Sequence, residues 1–313
     1  MRLLEGIQSA LHPQGPAATI VAEMFWVMCA GAAIILVAVT ALAAYAVFAP
    51  RKDAAILSGS SLIVAGGIVF PVLTLSALLL YSFVRAGSIA PAAPRPAVRI
   101  EVVGEQWWWR VHYLDAGGRS DFVTANEIRI PVGQPVQLDL NSADVIHSFW
   151  VPSLAGKLDM IPGRTNRLRI QADRPGRYRG QCAEYCGGPH ARMAVFVVAE
   201  PPEQFDRWMQ IQRRPATAPA DDIRRKGRDL FLAQCGACHA VRGTAAVGTR
   251  APDLTHVAGR EFIGAGLLPN NAGTLAGWIA SAQHLKPGSL MPAFDSLSGP
   301  ELRALAAYLA GLS

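Results

Sequence analysis

The chain has 313 residues and a mass of 33.4 kDa, which is enough for about two domains of ordinary size. Apolar residues make up 51% of it and charged residues only 17%, against ~25% charged in an average soluble protein. With a mean hydropathy of +0.25, this composition excludes a disordered or fibrous chain and predicts that part of it lies in lipid. The net charge of +6 forms no basic stripe, so nucleic acid is not expected as a partner.

Two uncharged apolar runs lie near the N-terminus, Met24–Phe48 and Leu62–Val84. Each exceeds the ~20 residues that cross a bilayer core. The first is longer than the apolar part of a cleaved signal, and a second run follows it, so we expect a retained hairpin spanning about 22–48 and 60–84. Arg51 and Lys52 lie in the connecting loop, which the positive-inside rule places in the cytoplasm. Both termini, and everything after Arg85, then lie on the outer side.

The pattern divides the chain into a hairpin with a Pro/Ala linker over 1–96, a β domain over 97–212, a linker over 213–220 and a helical domain over 221–313. Short strands separated by frequent turns predict a sandwich or Greek-key barrel. We predict strands at Val98–Val111, Glu127–Pro131, Val136–Leu140, Asn166–Gln171 and Ala194–Ala199. In the last domain, Asp221 and Asp222 predict a helix start. Ser298 predicts another, with Glu301 as its capping-box partner.

One loop of the β domain contains a C-x3-C-x3-H-x2-M pattern formed by Cys182, Cys186, His190 and Met193, and His147 lies upstream. Two thiolates, two imidazoles and a thioether are the soft and borderline ligands that select copper. A Cys182–Cys186 disulfide would leave the His and Met spacing unexplained, and a zinc site would leave the Met unexplained. A single blue-copper site needs one Cys, whereas this loop has two.

The second pattern is C-x-x-C-H, formed by Cys235, Cys238 and His239, which is the c-type haem attachment motif. Both thiols bond to the haem, and the histidine becomes an axial iron ligand. A thioredoxin-like C-x-x-C gives His239 no role. For the sixth ligand we favour Met291, the only methionine after the motif, over His256 and His284. His/Met ligation raises the iron potential and fills both axial positions, which suits electron transfer.

Together these motifs resemble subunit II of haem–copper cytochrome c oxidase over nearly the whole chain. The matching segments are the hairpin, Gln106–Trp109, His147–Pro152, Ile161–Arg164 and Cys182–Met193. The C-terminal part resembles class I cytochrome c, in the form fused to some bacterial second subunits. Its helix-crossing contact matches Gly227, Phe231 and Tyr308, and the proline loop beside the proximal ring matches Ala251–Leu254.

The resemblance implies a multidomain membrane protein with a transmembrane α-hairpin, an all-β cupredoxin-like Greek-key barrel and an all-α cytochrome c domain. It also implies a binuclear copper A centre. Cys182 and Cys186 would bridge the two copper ions, His147 and Met193 would complete one, and His190 and the Glu184 carbonyl the other. The Glu184 side chain would face a magnesium ion shared with subunit I.

The sequence matches the family pattern at one further position and departs from it at others. Trp107 matches the exposed aromatic residue that passes electrons to copper, while Trp108 stands where tyrosine is common. Many family members also carry a glutamate near the start of the second span, at the mouth of a proton path. Here Ile56–Leu62 contains no acidic residue, which puts proton uptake through this subunit in doubt.

The function implied is that of the electron-transfer subunit of a terminal cytochrome c oxidase in a bacterial inner membrane, with the oxygen-reducing site in subunit I. Electrons would pass from haem c to copper A and on to subunit I, coupled to proton translocation. Expected partners are subunit I, subunit III, an external cytochrome c or another donor, and the lipid bilayer. The alternatives are a copper A nitric oxide reductase subunit and a membrane-tethered electron carrier. A quinol oxidase subunit would lack the copper ligands kept here.

Overall fold

The computed structural model describes residues 7–48, 59–89 and 96–313. Two long apolar helices are followed by a β-sandwich and then by a mainly helical domain. The predicted fold class is therefore confirmed. The predicted loop with Arg51 and Lys52, and much of the Pro/Ala linker, lie outside the described residues.

Helices α1 (Pro16–Phe48) and α2 (Ser60–Gly87) are each long and apolar enough to cross a membrane, with mean hydropathies of 2.5 and 2.4. Most of their large apolar side chains are exposed, as expected of surfaces that face lipid. Within α2, a π-helical turn spans Ala65–Val69 and immediately precedes Phe70 and Pro71. Proline lacks an N–H and disturbs the regular helical hydrogen bonds, so a local change of pitch is expected there.

The segment before α1 is attached to the β-sandwich. The amide of Arg179 donates to the Ile7 carbonyl at 3.0 Å, and the amide of Gln14 donates to the Ser153 carbonyl at 2.7 Å. The first turns of α1 are also buried there. Arg85, near the end of α2, pairs with Glu23 of α1. The start of α1 and the end of α2 therefore lie at the same end of the hairpin, next to the sandwich.

The sandwich consists of two five-stranded sheets. One has the order β3-β2-β1-β5-β8 and the other β4-β10-β9-β6-β7. The strands are β1 Val98–Glu105, β2 Trp108–Leu114, β3 Ser120–Ala125, β4 Glu127–Pro131, β5 Val136–Ser142, β6 His147–Trp150, β7 Leu158–Met160, β8 Asn166–Ile170, β9 Gly176–Cys182 and β10 Ala194–Glu200.

The core lies between the two sheets, because alternate residues along each strand point inward. On β1, Ile100 and Val102 are fully buried, and Glu101 between them is partly exposed. The single strand predicted over Val98–Val111 is wrong. The chain turns at Gln106 and Trp107, so β1 and β2 form an antiparallel hairpin. Trp107 consequently lies in a turn instead of a strand.

Helix α3 (Pro202–Arg213) was not predicted; it packs Phe205 against the sandwich core. The cytochrome-like domain contains α4 (Asp222–Gln234), α5 (Ala272–Leu285) and α6 (Gly299–Leu309), with a short hairpin of β11 (Phe262–Ile263) and β12 (Leu268–Pro269). The predicted caps are confirmed. Asp221 accepts a hydrogen bond from the Arg224 amide, and Ser298 and Glu301 form a capping box.

The helical domain packs directly against the sandwich. Phe262 stacks on Phe196 with ring centroids 4.2 Å apart, and the Ala194 amide donates to the Ala265 carbonyl at 3.0 Å. The Glu261 amide donates to the Glu127 carboxylate at 2.9 Å. These contacts lie beside the start of β10, so they bring the helical domain next to the loop that precedes this strand.

Candidate copper and haem sites

The C-x3-C-x3-H-x2-M loop joins β9 to β10. These strands are antiparallel neighbours, and Ala194 pairs with Gln181, so Cys182 and Met193 lie at adjacent strand ends. His147 comes from β6, which lies beside β9 with Phe149 opposite Cys182. The sheet register thus brings His147 next to a loop 35 residues later in the chain.

All six predicted copper ligands lie in one cluster. The Sγ atoms of Cys182 and Cys186 are 3.7 Å apart. The remaining contacts join these sulfurs to the other four ligands: His147 Nδ1 at 3.8 Å and the Glu184 carbonyl at 3.2 Å from Cys182, and His190 Nδ1 at 3.5 Å and Met193 Sδ at 3.9 Å from Cys186. His147, Cys182, Cys186 and Met193 are buried.

This spacing fits shared metal ions. Two nitrogen or sulfur ligands bound to one tetrahedral ion at ~2.0–2.3 Å lie ~3.3–3.8 Å apart, close to the distances found. The two thiols interact strongly. Hydrogen bonding, chiefly from Cys186, lowers the pKa of Cys182. The pKa of Cys186 is raised because it holds that hydrogen bond and is buried beside a thiolate. Metal cations would let both carry negative charge, and this donor set favours copper.

Neighbouring groups fix the orientation of His147. Its Nε2 lies 2.8 Å from Asp144 Oδ1, so a proton on Nε2 leaves Nδ1 free to face the cysteines. Such carboxylate–histidine contacts orient metal ligands in many proteins. On the other side of the ring, a Cβ at Gly104 would lie 2.8 Å from the His147 Cδ2 atom. Glycine at this position of β1 is therefore required for the ring to fit.

Trp107 contacts the copper loop directly. Its indole Nε1 donates to the Cys186 carbonyl at 2.9 Å, and Gln106 Nε2 donates to the same oxygen at 2.8 Å. Gly187 has a φ of +115°, and a Cβ at this position would lie 2.9 Å from the Trp107 ring. Trp109 is fully buried and Trp108 lies under the Arg110 guanidinium.

A cavity of about 480 Å³ lies between the helical domain and the sandwich. Cys235, Cys238 and His239 line one part of it, and Met291 and Trp107 line other parts. Much of the remaining lining is apolar, including Phe231, Ile279, Leu305 and Leu309. Arg260 also lines it, and its Nε is buried without a hydrogen-bond partner in the described structure. An apolar cavity with two thiols, an imidazole, a thioether and a buried guanidinium whose Nε is unpaired fits an anionic haem.

His239 is held in the form that an iron ligand requires. Its Nδ1 donates to the Pro252 carbonyl at 2.7 Å, which leaves Nε2 unprotonated. Burial lowers the pKa of His239, so the neutral ring predominates near pH 7. The Pro252 loop named from the family resemblance thus orients this histidine through its carbonyl.

The three candidates for the sixth ligand differ in position. Met291 lines the cavity. His256 is buried, with its Nε2 2.9 Å from the Arg214 carbonyl, and His284 is exposed on α5. The predicted helix crossing is present between α4 and α6, where the rings of Phe231 and Tyr308 lie 5.6 Å apart.

Sequence reasoning missed two cavity residues, Arg260 and Lys286. No local pattern marks them, since each acquires its position from contacts between distant segments. The family resemblance predicts a role for Trp107 at the copper site, but its place in the haem cavity could not be inferred from the sequence.

Two family models match separate parts of the chain. Residues 112–200 match the family model for the cytochrome c oxidase subunit II periplasmic domain, and 225–313 match that for cytochrome c. Cytochrome c oxidase subunit 2 of Alkalihalophilus pseudofirmus is 38% identical over 251 residues, covering 78% of this chain and 71% of the relative.

The chain belongs to the cytochrome c oxidase subunit 2 family. The subunit of Bacillus subtilis is 29% identical over 263 residues, covering 78% of this chain and 72% of its own length. Among solved structures, the periplasmic domain of subunit II (CoxB) of Bradyrhizobium japonicum has 30% identity and a TM-score of 0.36, covering 38% of this chain and 96% of that one.

Membership makes this chain an electron-transfer subunit of a haem–copper oxidase, which works with subunit I. At the level of the family, the two matched domains carry copper A and haem c. The recognition of the family, and of the added cytochrome c domain, from sequence motifs is therefore confirmed.

Proposed function

We propose that this subunit carries electrons from a covalent haem c in residues 221–313 to copper A in residues 97–212, and on to subunit I for reduction of oxygen to water with proton translocation. The observation that carries the proposal is the position of Trp107. It lines the haem cavity, and its indole nitrogen donates to the carbonyl of Cys186 in the copper loop. One side chain thus touches both sites.

In this proposal Cys182 and Cys186 would hold two copper ions through their thiolates. His147 and Met193 would supply further ligands to one ion, and His190 and the Glu184 carbonyl to the other. Copper A, when bound, takes up and releases one electron at a time. The chain fixes the ligands in a buried cluster with the Asp144 contact on His147, and such preorganisation suits electron transfer because little has to move.

For the haem, Cys235 and Cys238 would form the covalent attachment, and His239 and Met291 would bind the iron. Haem c, when bound, supplies a second one-electron carrier. The surrounding apolar side chains exclude water, and Arg260 is placed to meet an anionic propionate. Filling both axial positions from the chain leaves no site for oxygen to bind.

The remaining proposals concern a magnesium ion, the other partners of the subunit and the side of the membrane on which it works. Glu184 is only half-buried, so its carboxylate is available for a magnesium ion at the boundary with subunit I. Subunit III and an external cytochrome c, or another donor, complete the proposed assembly. Because residues 7–14 bind the sandwich, the N-terminal segment and both redox domains lie on the same side, which we assign as the outer side of a bacterial inner membrane.

The Trp107→Leu variant of the intact oxidase tests the route. After rapid reduction of the haem, electron arrival at copper is followed by its near-infrared absorbance. Since the variant loses the indole that bridges the sites, we expect the rate to fall on the order of 10-fold or more, as for other misplaced reaction partners. The control is Trp208→Leu, which alters an indole packed against Tyr113 and Phe122. An unchanged rate in Trp107→Leu would contradict the proposed route.

A further inference from the structure

Lys286 is a buried lysine, with 3% of its surface exposed, whereas Lys157 and Lys226 are exposed. Burying an ammonium is costly unless hydrogen bonds replace its water. Lys286 Nζ donates to the Trp107 carbonyl at 2.7 Å and to the Gly264 carbonyl at 3.2 Å. The first acceptor belongs to the sandwich and the second to the helical domain. A single ammonium therefore joins the two domains.

A second hydrogen bond at the adjacent residue runs in the opposite direction. Arg192, in the copper loop between His190 and Met193, donates from Nη1 to the Leu285 carbonyl at 2.5 Å. Leu285 is the last residue of α5. The end of α5 thus receives a hydrogen bond from the copper loop and, through Lys286, returns one to the residue beside that loop.

The same segment continues to the haem cavity. Lys286 begins the loop that leads to Met291, and both residues line the cavity. A Cβ at Gly288 would lie 3.7 Å from the Trp107 ring, so this loop rests on the indole. The position of Lys286 therefore determines how the loop that carries Met291 meets Trp107.

The electrostatic surroundings do not make the burial favourable by themselves. Burial lowers the pKa of Lys286 to about 7, which reflects the cost of keeping its ammonium inside the protein. Among the described residues, no carboxylate forms an ion pair with this ammonium. A buried lysine without a carboxylate partner departs from the usual pattern, and such departures are expected at positions that serve a function.

We propose that Lys286 is a positioning residue that clamps the Met291 loop of the cytochrome domain onto the Trp107 carbonyl and so fixes the docking of the two redox domains. This inference rests on the proposed haem-to-copper route. It assigns Lys286 no contact with either cofactor. Its effect on electron transfer follows from holding Trp107 between the two sites.

The experiment compares Lys286→Met, Lys286→Arg and the exposed-site control Lys226→Met in the intact oxidase. Docking is read from hydrogen–deuterium exchange of peptides containing the Ala194 and Glu261 amides, which donate across the interface. Electron transfer from haem to copper is measured as for Trp107→Leu, by the near-infrared absorbance of copper after rapid reduction of the haem. Haem and copper spectra establish that both sites have assembled. The methionine keeps the apolar stem while removing the donor, and arginine keeps a cationic donor.

For Lys286→Met we expect both interface peptides to exchange on the order of 10-fold faster because docking is weakened. Haem-to-copper transfer should slow by a similar factor without stopping, since the linker keeps the domains at ~mM effective concentration. Lys286→Arg should partly restore both the slow exchange of the interface peptides and the rate of haem-to-copper transfer. Lys226→Met should match the unmodified protein in both measurements. Unchanged exchange in Lys286→Met would overturn the clamp. Faster exchange with an unchanged transfer rate would overturn its role in positioning.

The two proposals fail differently. If haem-to-copper transfer is missing in the unmodified protein, the proposed function is wrong. The exchange measurement would then still decide whether Lys286 holds the domains together.

Discussion

The two candidate cofactor sites are built in different ways. The copper cluster contains six ligand groups in close contact with one another, and four of its residues are buried in the sandwich. The proposed haem ligands His239 and Met291 line a cavity of about 480 Å³, and one wall of that cavity comes from the other domain. The sandwich has a continuous hydrophobic core between its two sheets, whereas the cavity lies between the two domains and is lined largely by core residues of the helical domain.

This difference indicates how far each domain depends on its cofactor in order to fold. The proposed copper ligands lie on or between strands that are paired through their backbones, and Trp109 and Phe149 pack together in the core beside them. In the cytochrome domain, Phe231, Leu305 and Leu309 line the cavity and also belong to the domain core. We infer that copper is held by a fold that forms without it, while haem is part of the core of its own domain.

The largest expected effect is the loss of haem attachment in the double variant Cys235→Ser, Cys238→Ser. Unfilled space costs ~24 cal/mol per Å³, so a wholly unfilled cavity of about 480 Å³ would cost about 12 kcal/mol, comparable to the whole stability of a small domain. Limited proteolysis should cleave within 221–313 and leave 97–212 protected. Equal resistance of both domains would contradict the comparison.

The next effect is confined to the sandwich. Cys186→Ser should abolish the near-infrared and mixed-valence EPR signals of copper A, because serine cannot act as a bridging thiolate. The haem should remain reducible, and the thermal unfolding of the sandwich should change little. Survival of both copper signals would exclude Cys186 as a bridge.

The smallest effect leaves both domains folded. Met291→His should lower the haem potential by more than about 0.1 V, a part of the ~0.8 V range that axial ligands span. Spectroelectrochemical titration measures this shift, with His284→Ala as a control at an exposed position. An unchanged potential in Met291→His would point to a different sixth ligand.

The local motifs, more than any global pattern, made the sites predictable. Ligand spacing in one loop and the C-x-x-C-H motif identify most candidate residues from the sequence, and alternating apolar residues indicate the sandwich. The turn at Gln106 and Trp107 was missed because the aromatic run Trp107–Trp109 has high strand propensity. The hairpin became clear only from the pairing of Glu105 with Trp108.

The contacts between domains could not be predicted in the same way. Lys286 and Trp107 are 179 residues apart, and an isolated lysine before Pro287 resembles any solvent-exposed residue at the end of a helix. Its burial depends on the position of the whole cytochrome domain. Local propensity and periodicity contain no information about such packing between separate units.

The wall that the sandwich contributes to the proposed haem cavity has a consequence for how haem is attached. Gln106, Trp107 and Trp108 cover the cavity from the sandwich side, while the attachment cysteines lie in the later-synthesised domain. A bulky porphyrin and the machinery that joins it to Cys235 and Cys238 need an open approach. We infer that haem attachment takes place most readily before the two domains close, which would make docking of the cytochrome domain onto the sandwich a late step of biogenesis.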